Sequence, residues 1–279
     1  MILFQIMEDF SNETIQKLQN LNILSQDIKN AFDEAPVLYV EKTDSTMNLA
    51  KELSKMNAPS GTVVMAGEQS NGRGRIDGRI WKSTPGKNLL CTIILKQPPV
   101  EGFTLRIGLS LARTCNSFLP ENIKAKIKWP NDILIDDKKL CGILCEYVNN
   151  TIFVGIGCNI NQLAFSQEIE KKATSLALYS GGRGPKISSF LETLLRNIKE
   201  VLTEEDWNKK VSDLLYKKGE IVSFCPGIPE TKPVLQNQTN QVTGILEGIG
   251  SFGELLVKTT QEGIEKTIPF VSGELILDS

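Results

Sequence analysis

The chain has 279 residues, of which 41% are hydrophobic and 23% charged, the composition of an ordinary globular protein with one large or two modest domains. Its formal net charge of −2 argues against a nucleic-acid-binding protein, because such proteins usually carry more basic than acidic residues. The complete absence of histidine excludes Ser-His-Asp and Cys-His catalysis and histidine-ligated metal sites. Any catalysis must therefore use lysine, arginine, carboxylates, hydroxyls, backbone groups or a metal ion that arrives with a substrate.

Membrane and secretion signals are weak. No apolar run approaches the roughly 18 residues that a membrane span needs, and the start, MILFQIMEDF, lacks the basic region of a signal peptide. Six cysteines lie mostly inside apolar runs, which is typical of reduced core thiols in a reducing compartment, so we expect a cytoplasmic protein. Cys141 and Cys145 are four positions apart, but no second pair and no histidine completes a zinc site.

In the first part of the chain, short apolar strands alternate with amphipathic helices. Residues 8–35 are polar with scattered leucine and isoleucine, and Leu18, Leu21 and Leu24 indicate only a short helix. Strands are predicted from apolar runs at 37–40, 62–66 and 88–95, and helices from apolar residues at helical spacing at 44–56 and 103–119. Asp44 or Ser45 is the expected cap of the first of these helices.

The second part begins with four β-type runs, KAKIK, DILID, CGILCEYV and TIFVGIGCNI, several of them separated by turns only. Such short connections exclude parallel crossovers throughout, so the sheet is mixed or mainly antiparallel. Helices follow at 187–202 and 206–217, and Gly219 ends the second. We expect three regions, an N-terminal extension (1–36), a catalytic domain (37–218) and a small C-terminal β domain (219–279).

The segment NGRGRIDGRIWKS (71–83) places Arg73, Arg75 and Arg79 between glycines. Glycine lets a backbone approach a ligand closely, and the arginine fork suits phosphate or carboxylate. The spacing is not that of a P-loop, because no Gly-Lys-Ser/Thr follows. Taken alone, the segment fits a solvated basic turn or a nucleic-acid patch as well as a loop that wraps a small anion.

Three further motifs carry polar residues at strand ends. KWPNDIL (128–134) offers Lys128, Asn131 and Asp132 around a rigid Trp-Pro turn, although the last two also suit an Asx-turn and Lys128 a solvated strand position. KKLCGILCEYV (138–148) offers Lys139 and Gly142, which fit a ligand approach or equally a sheet-edge lysine and a β-bulge. GIGCNIN (155–161) lacks the third glycine of a dinucleotide fingerprint.

In this order the motifs resemble those of the biotin protein ligase family. The matching segments are DSTMNLA (44–50), GEQSNGRGRIDGRIW (67–81), KWPNDIL (128–134), KLCGILCE (139–146), GIGCNIN (155–161), ATSL (173–176) and SGELIL (272–277). The resemblance implies an α+β fold, in which a mixed, mainly antiparallel sheet flanked by helices (the class II synthetase-like fold of biotin and lipoate ligases) precedes a small SH3-like β-barrel.

The resemblance also implies a reaction that needs no histidine. Family members activate biotin with Mg²⁺ and ATP to biotinyl-5′-AMP and pass biotin to one lysine of a biotin carboxyl carrier domain. Mg²⁺ would be carried by the ATP phosphates, so no all-protein metal site is expected. The expected partner is the carrier domain, a homodimer is compatible with the sequence, and neither nucleic acid nor a membrane is an expected partner.

Site residues follow from the same resemblance. The catalytic set begins with Lys139, which would meet the α-phosphate and the biotin carboxylate. Arg73 and Arg75 would neutralise phosphate charge and close over the intermediate, and Asp132 would orient or deprotonate the acceptor lysine. The biotin-binding set is Ser45, Thr46, Gln69, Gly72, Arg73, Gly142 and Gly155. The ATP- or adenylate-binding set is Arg75, Trp81, Lys128, Asn131, Lys139 and Asn159.

The chain departs from the family pattern in two places. The usual GRGRxGR is one residue longer because of Ile76 and Asp77, and the usual Ser-Thr-Asn reads Ser45-Thr46-Met47. Members that also repress transcription carry an N-terminal winged helix, for which residues 1–36 are too short, so we expect no DNA-binding role. Rival functions are a lipoate or octanoate ligase or transferase of the same fold, a nucleic-acid-binding module and a non-catalytic biotin sensor.

Overall fold

A computed structural model describes residues 16, 22–76, 78–227, 241–261 and 264–276. Its larger sheet has eight strands in the order β1-β2-β3-β4-β8-β7-β6-β5. These strands are β1 Leu24–Ser25, β2 Val37–Thr43, β3 Val63–Gln69, β4 Leu89–Leu95, β5 Lys126–Lys128, β6 Asp132–Ile135, β7 Lys138–Val148 and β8 Thr151–Cys158. Only β2 and β3 pair in parallel, and the other neighbours are antiparallel, which confirms the mixed, mainly antiparallel sheet.

Helices cover both faces of this sheet. They are α1 Thr46–Lys55, α2 Phe103–Asn116, α3 Leu176–Tyr179, α4 Ile187–Leu202 and α5 Trp207–Asp213. Helix α1 buries Leu49 and Leu53 on one face beside Ile94 of β4. On the other face α2 and α4 bury a larger apolar cluster that includes Ile93, because neighbouring strand residues point to opposite sides.

Helix boundaries largely follow the sequence pattern. Helix α4 has the predicted bounds, whereas α5 is shorter than the predicted 206–217. The physical reason is that the backbone of Leu214 and Tyr216 hydrogen-bonds to Ile127 of β5, which takes these residues out of the helix. In the N-terminal part, Leu24 lies in strand β1 rather than in a helix, while Leu18 and Leu21 lie outside the described residues.

The C-terminal residues form a second sheet with strand order β12-β11-β10-β9-β13. Its strands are β9 Ile221–Pro226, β10 Val242–Ile249, β11 Leu255–Gln261, β12 Ile264–Phe270 and β13 Gly273–Ile276. Trp129 of the larger domain joins the two sheets: its indole N–H donates to the Gly253 carbonyl at 3.0 Å and its ring packs edge-on against Phe224. The small sheet is thus docked on the segment that carries KWPNDIL.

Four of the six cysteines are buried in the core, whereas Cys145 is partly buried and Cys225 is exposed. Cys115, Cys141 and Cys158 are buried with their sulfur atoms within 4.8 Å of one another, between α2 and strands β7 and β8. Burial raises the pKa of the Cys91 thiol to about 12, so this side chain stays neutral. Within the described part of the chain, no helix is both long and apolar enough to cross a membrane.

Candidate active site

Two adjoining cavities lie over strands β7 and β8, beneath the loop 71–83. The smaller, of about 70 Å³, is called the inner chamber, and the larger, of about 330 Å³, the outer chamber. Both are lined by Gly74, Arg75, Trp81, Asn131 and Lys139, so these residues mark the junction between them. The arrangement suits a ligand whose two unlike halves meet at Lys139.

The residues predicted for the two ligands line the two chambers, and four of the predicted nucleotide residues, Arg75, Trp81, Asn131 and Lys139, are shared by both. The inner chamber is lined by Ser45, Thr46, Gln69, Arg73, Gly142 and Gly155, the predicted biotin set except Gly72. The outer chamber is lined by the whole predicted nucleotide set, Arg75, Trp81, Lys128, Asn131, Lys139 and Asn159, and by Asp132. Gly72 lies beside the inner chamber, where a Cβ would stand 2.9 Å from the Trp81 carbonyl oxygen.

Polar groups of the inner chamber come from the start of helix α1. Ser45 caps the helix, because its hydroxyl accepts the Met47 N–H at 3.2 Å. Gln69 Oε1 accepts both the backbone N–H of Thr46, at 2.8 Å, and its hydroxyl, at 3.0 Å. The Gln69 Nε2 group donates no hydrogen bond to the described residues, so it remains available to a ligand.

Two glycines on neighbouring strands make room for the Trp81 indole. Gly142 and Gly157 pair across β7 and β8, and a Cβ on them would lie 3.0 Å and 2.5 Å from Trp81 ring atoms. Of the two earlier interpretations of Gly142, close approach to the backbone is therefore correct; the register shift of β7 falls at Leu140 instead. Gly157 was not among the predicted site residues, although it lies in the GIGCNIN motif.

Lys139 is the second residue of β7 and lines both chambers. Its ammonium group forms a 2.7 Å ion pair with Asp132 on β6 and lies 5.7 Å from the centre of the Trp81 ring. The lysine side chain is 38% exposed and the aspartate 20%, so the pair faces the chambers rather than bulk solvent. The two charges predicted to act on the phosphate and on the acceptor lysine thus neutralise each other in the free protein.

The segment 128–132 is fixed by long-range contacts. Asn131 exchanges hydrogen bonds with Ile143 of β7: its Nδ2 donates to the Ile143 carbonyl and its own carbonyl accepts the Ile143 N–H, both at 2.9 Å. The alternative of a local Asx-turn is therefore wrong for Asn131. Pro130 follows a cis peptide bond, and the preceding Trp129 is 3% exposed.

Lys128 is buried, not solvated as one interpretation of the strand allowed, and it faces the outer chamber. Burial lowers its pKa, an effect that the carboxylates of Asp132 and Glu274 oppose and the charges of Lys139 and Arg79 reinforce. A cation held with so little water favours an anionic ligand in the chamber.

Asn159 carries an unsatisfied acceptor. Its side chain is 5% exposed, and Nδ2 donates to the Thr174 carbonyl at 3.0 Å. The opposite atom, Oδ1, is buried and has no partner among the described residues. Because a buried acceptor without a hydrogen bond is costly, this oxygen indicates a ligand donor in the outer chamber.

The loop 71–83 folds back on itself as a short hairpin. Arg73 and Ile80 form an antiparallel bridge, and the Gly74 N–H donates to the Arg79 carbonyl at 2.8 Å. Although the loop is one residue longer than the family pattern, its two arms stay paired, and Gly78 near the turn has φ +80°. Trp81 therefore still reaches the site, and Arg79 points to the C-terminal sheet, where its guanidinium meets Glu274 at 3.0 and 3.2 Å.

Both the sequence and the fold of the chain are similar to those of known proteins. A model of the biotin/lipoate A/B protein ligase family matches residues 39–162. The bifunctional ligase/repressor BirA of Bacillus spizizenii is 33% identical over 242 residues, covering 82% of this chain and 71% of that protein. BirA of Escherichia coli is 29% identical over 278 residues, covering 96% and 80%.

Among solved structures, the chain is similar to biotin protein ligase from Aquifex aeolicus in complex with biotin and ATP. The match has a TM-score of 0.70 and 28% sequence identity, and covers 86% of this chain and 97% of that one. The similarity thus extends over both sheets and not only the residues that the family model matches. The chain belongs to the biotin protein ligase family.

Proposed function

We propose that this ligase joins biotin to AMP at Lys139 and then transfers the biotinyl group to a lysine of a biotin carboxyl carrier domain. The observation that carries the proposal is the position of Lys139 at the junction of the two chambers. Biotin in the inner chamber and ATP in the outer chamber would bring the biotin carboxylate and the α-phosphate together at this ammonium group.

In the first step a biotin carboxylate oxygen attacks the α-phosphorus. The new P–O bond forms as the bond to pyrophosphate breaks, and the attacking carboxylate needs no general base. Positioning and positive charge provide most of the catalysis in such transfers. Lys139 and Arg75 line both chambers, so their charges would stabilise the phosphate in the transition state.

Biotin recognition would use the polar end of the inner chamber. The ureido ring offers one acceptor and two donors. Gln69 Nε2 has no acceptor among the described residues and could donate to the ureido oxygen. The Ser45 hydroxyl, which only accepts from Met47, could donate as well, whereas the proton of the Thr46 hydroxyl is already given to Gln69. Met47 lines this chamber where relatives carry asparagine, and its side chain packs near Gly155.

ATP recognition would use Asn159 and the cations of the outer chamber. The unpartnered Oδ1 of Asn159 would accept from the adenine amino group. Because Nδ2 already donates to Thr174, Asn159 reads the base mainly as an acceptor. Lys128 would meet a phosphate, which would compensate the cost of burying this lysine.

Mg²⁺ would arrive with ATP. The two carboxylates of the outer chamber, Asp132 and Glu274, are each paired with a cation, and no group of three carboxylates occurs among the described residues. This donor set fits a metal held chiefly by phosphates. When bound, the ion would neutralise charge on the leaving pyrophosphate.

In the second step the ammonium group of the carrier lysine gives up a proton to Asp132 or to water, the neutral amine attacks the acyl carbon, and the C–O bond to AMP breaks as the C–N bond forms. Asp132 would hold this lysine, because its carboxylate is already placed to pair with an ammonium group. Biotin carrier domains as partners, together with the free cysteine thiols buried in the core, support a cytoplasmic location for the reaction.

One assay tests the proposal. The purified protein is given Mg²⁺, ATP and biotin, lipoate or octanoate, and pyrophosphate exchange and labelling of a biotin carrier domain are followed. We expect exchange with biotin and a labelled carrier. Exchange with lipoate or octanoate alone would identify the rival ligase, and tight biotin binding without exchange would identify a sensor.

A further inference from the structure

Glu274 is the residue through which the C-terminal sheet reaches the outer chamber. It is the second residue of β13, and its side chain is 30% exposed. Both carboxylate oxygens bind the Arg79 guanidinium, at 3.0 and 3.2 Å, in the two-pronged geometry that gives strong arginine–carboxylate pairs. Although burial alone would raise the Glu274 pKa, the hydrogen bonds and charge of Arg79 lower it, so the carboxylate is ionised at neutral pH.

A neighbouring contact joins the same two segments. The Arg75 guanidinium donates to the Gly273 carbonyl at 3.3 Å. Strand β13 packs closely against β9 at this point. Gly273 has φ +147°, and a Cβ there would lie 2.2 Å from a ring atom of Phe224, so only glycine fits. Phe224 is fully buried.

The hairpin relays this attachment to the site. The backbone bond between Gly74 and Arg79 ties the arm that carries Arg75 to the arm that leads to Trp81. At its base the hairpin is anchored differently, by a 2.7 Å hydrogen bond from Arg73 to Asn48 of helix α1. Breaking the outer attachment should therefore loosen the tip while the base stays in place.

We propose that Glu274 is a positioning residue of the ligase, which keeps the loop 71–83 closed over the chambers by holding Arg79. This inference rests on the proposed function, since closure matters when a reactive acyl-adenylate must be kept from water and from foreign amines. The small C-terminal sheet would thereby contribute to retention of the intermediate by way of the loop.

Loss of the carboxylate should raise the open fraction of the loop. The pair lies near the surface, and the coupling of such pairs corresponds to about a two- to fivefold change in an equilibrium. We expect Glu274→Gln to release biotinyl-AMP about two to five times faster than the unchanged protein. Labelling of bystander lysines should rise in proportion.

The test combines chemistry with a measurement that needs no turnover. Hydrogen–deuterium exchange of residues 71–83 and release of biotinyl-AMP are compared for the unchanged chain, Glu274→Gln, Arg79→Glu and the exchanged pair Arg79→Glu/Glu274→Arg. In each single variant, the amide hydrogens of the loop should exchange with deuterium faster. The double variant, in which the two charges are swapped, should recover slow hydrogen–deuterium exchange and slow release of biotinyl-AMP. Glu168→Gln is the matched control, because Glu168 also pairs with a loop residue, Lys82, but both side chains are largely exposed.

The outcomes separate the two proposals. If the unchanged protein makes no biotinyl-AMP, the proposed function fails, whereas loop exchange still reports on Glu274. If the unchanged protein makes the adenylate, but Glu274→Gln changes neither the hydrogen–deuterium exchange of the loop nor the release of biotinyl-AMP, the proposed role of Glu274 is wrong. The proposal would also be overturned if hydrogen–deuterium exchange were faster in both single variants and the charge-swapped double variant did not recover. Glu274 would then support only the fold of β13.

Discussion

Lys139 and Asp132 neutralise each other across β6 and β7, 2.7 Å apart, at the junction of the two chambers. Each is assigned to a different half of the reaction, so the ion pair must exchange partners as the reaction proceeds. We propose that the ammonium group would turn to the phosphate when ATP binds, and that the carboxylate would become available when a carrier lysine arrives. Variants of the two residues should consequently fail at different steps.

Lys139→Gln should abolish most of the first step. Removing a cation from developing phosphate charge typically costs about 100- to 1,000-fold in rate. Biotin-dependent pyrophosphate exchange measures this step alone. Lys138→Gln is the control, because this neighbouring lysine does not line either chamber; similar losses in both variants would contradict the assignment.

Asp132→Asn should spare adenylation and impair transfer. The amide keeps the shape of the carboxylate but does not pair with an ammonium group, so we expect transfer to the carrier to slow about 100-fold. Single-turnover transfer from preformed biotinyl-AMP measures this step. An equal loss of pyrophosphate exchange would instead show that Asp132 acts mainly by positioning Lys139.

Gly157→Ala should displace the Trp81 indole. The added Cβ would lie 2.5 Å from a ring atom, and overpacking of this kind costs about 1–3 kcal/mol. We expect adenylation to fall about tenfold and the tryptophan emission to shift. Gly108→Ala in helix α2 is the control, because its Cβ would meet side-chain atoms only at 3.6 Å and beyond.

Lys128→Met should stabilise the protein while weakening ATP binding. The buried ammonium group is unfavourable without a phosphate, so removing it should raise stability by about 1 kcal/mol. Burial favours neutral Lys128 in the folded state, so the unchanged protein gains stability as pH rises through the lowered pKa towards 10.5. The advantage of the variant in urea unfolding should therefore shrink at alkaline pH, whereas a constant difference would rule out the charge as its cause.

Arg75→Gly should leak the intermediate more severely than Glu274→Gln. It removes the hydrogen bond to Gly273 and, in addition, a cation that lines both chambers. Bystander proteins mixed with the variant, ATP and biotin should become labelled without a carrier domain. Unchanged labelling would contradict a role for Arg75 in closure.

Much of the architecture could be predicted because it rests on local patterns. Periodic apolar residues located helix α4 to the residue, and closely spaced β runs indicated the antiparallel strands. The ends of helices were harder, because they depend on distant partners. Helix α5 stops early since Ile127, far away in sequence, pairs with the residues that follow it.

The site divides in the same way. Most of the site residues that the motifs predicted line the chambers, but the ion pairs that these residues form could not be predicted from their spacing in the sequence. Lys139 with Asp132 and Arg79 with Glu274 each join different strands or sheets, and Lys128 is buried although its strand allowed a solvated position. A closing SGELIL motif contained Glu274, yet only the docking of the C-terminal sheet reveals its contact with the loop.

Trp129 connects the two sheets through the Gly253 carbonyl and the ring of Phe224. Its neighbours in sequence, Lys128 and Asn131, line the chamber, so the same short segment belongs to a domain contact and to the substrate pocket. The two sheets are therefore expected to melt in one cooperative transition rather than in sequence. Ligands of the chamber would then protect the C-terminal strands from heat as effectively as they protect the strands that they touch.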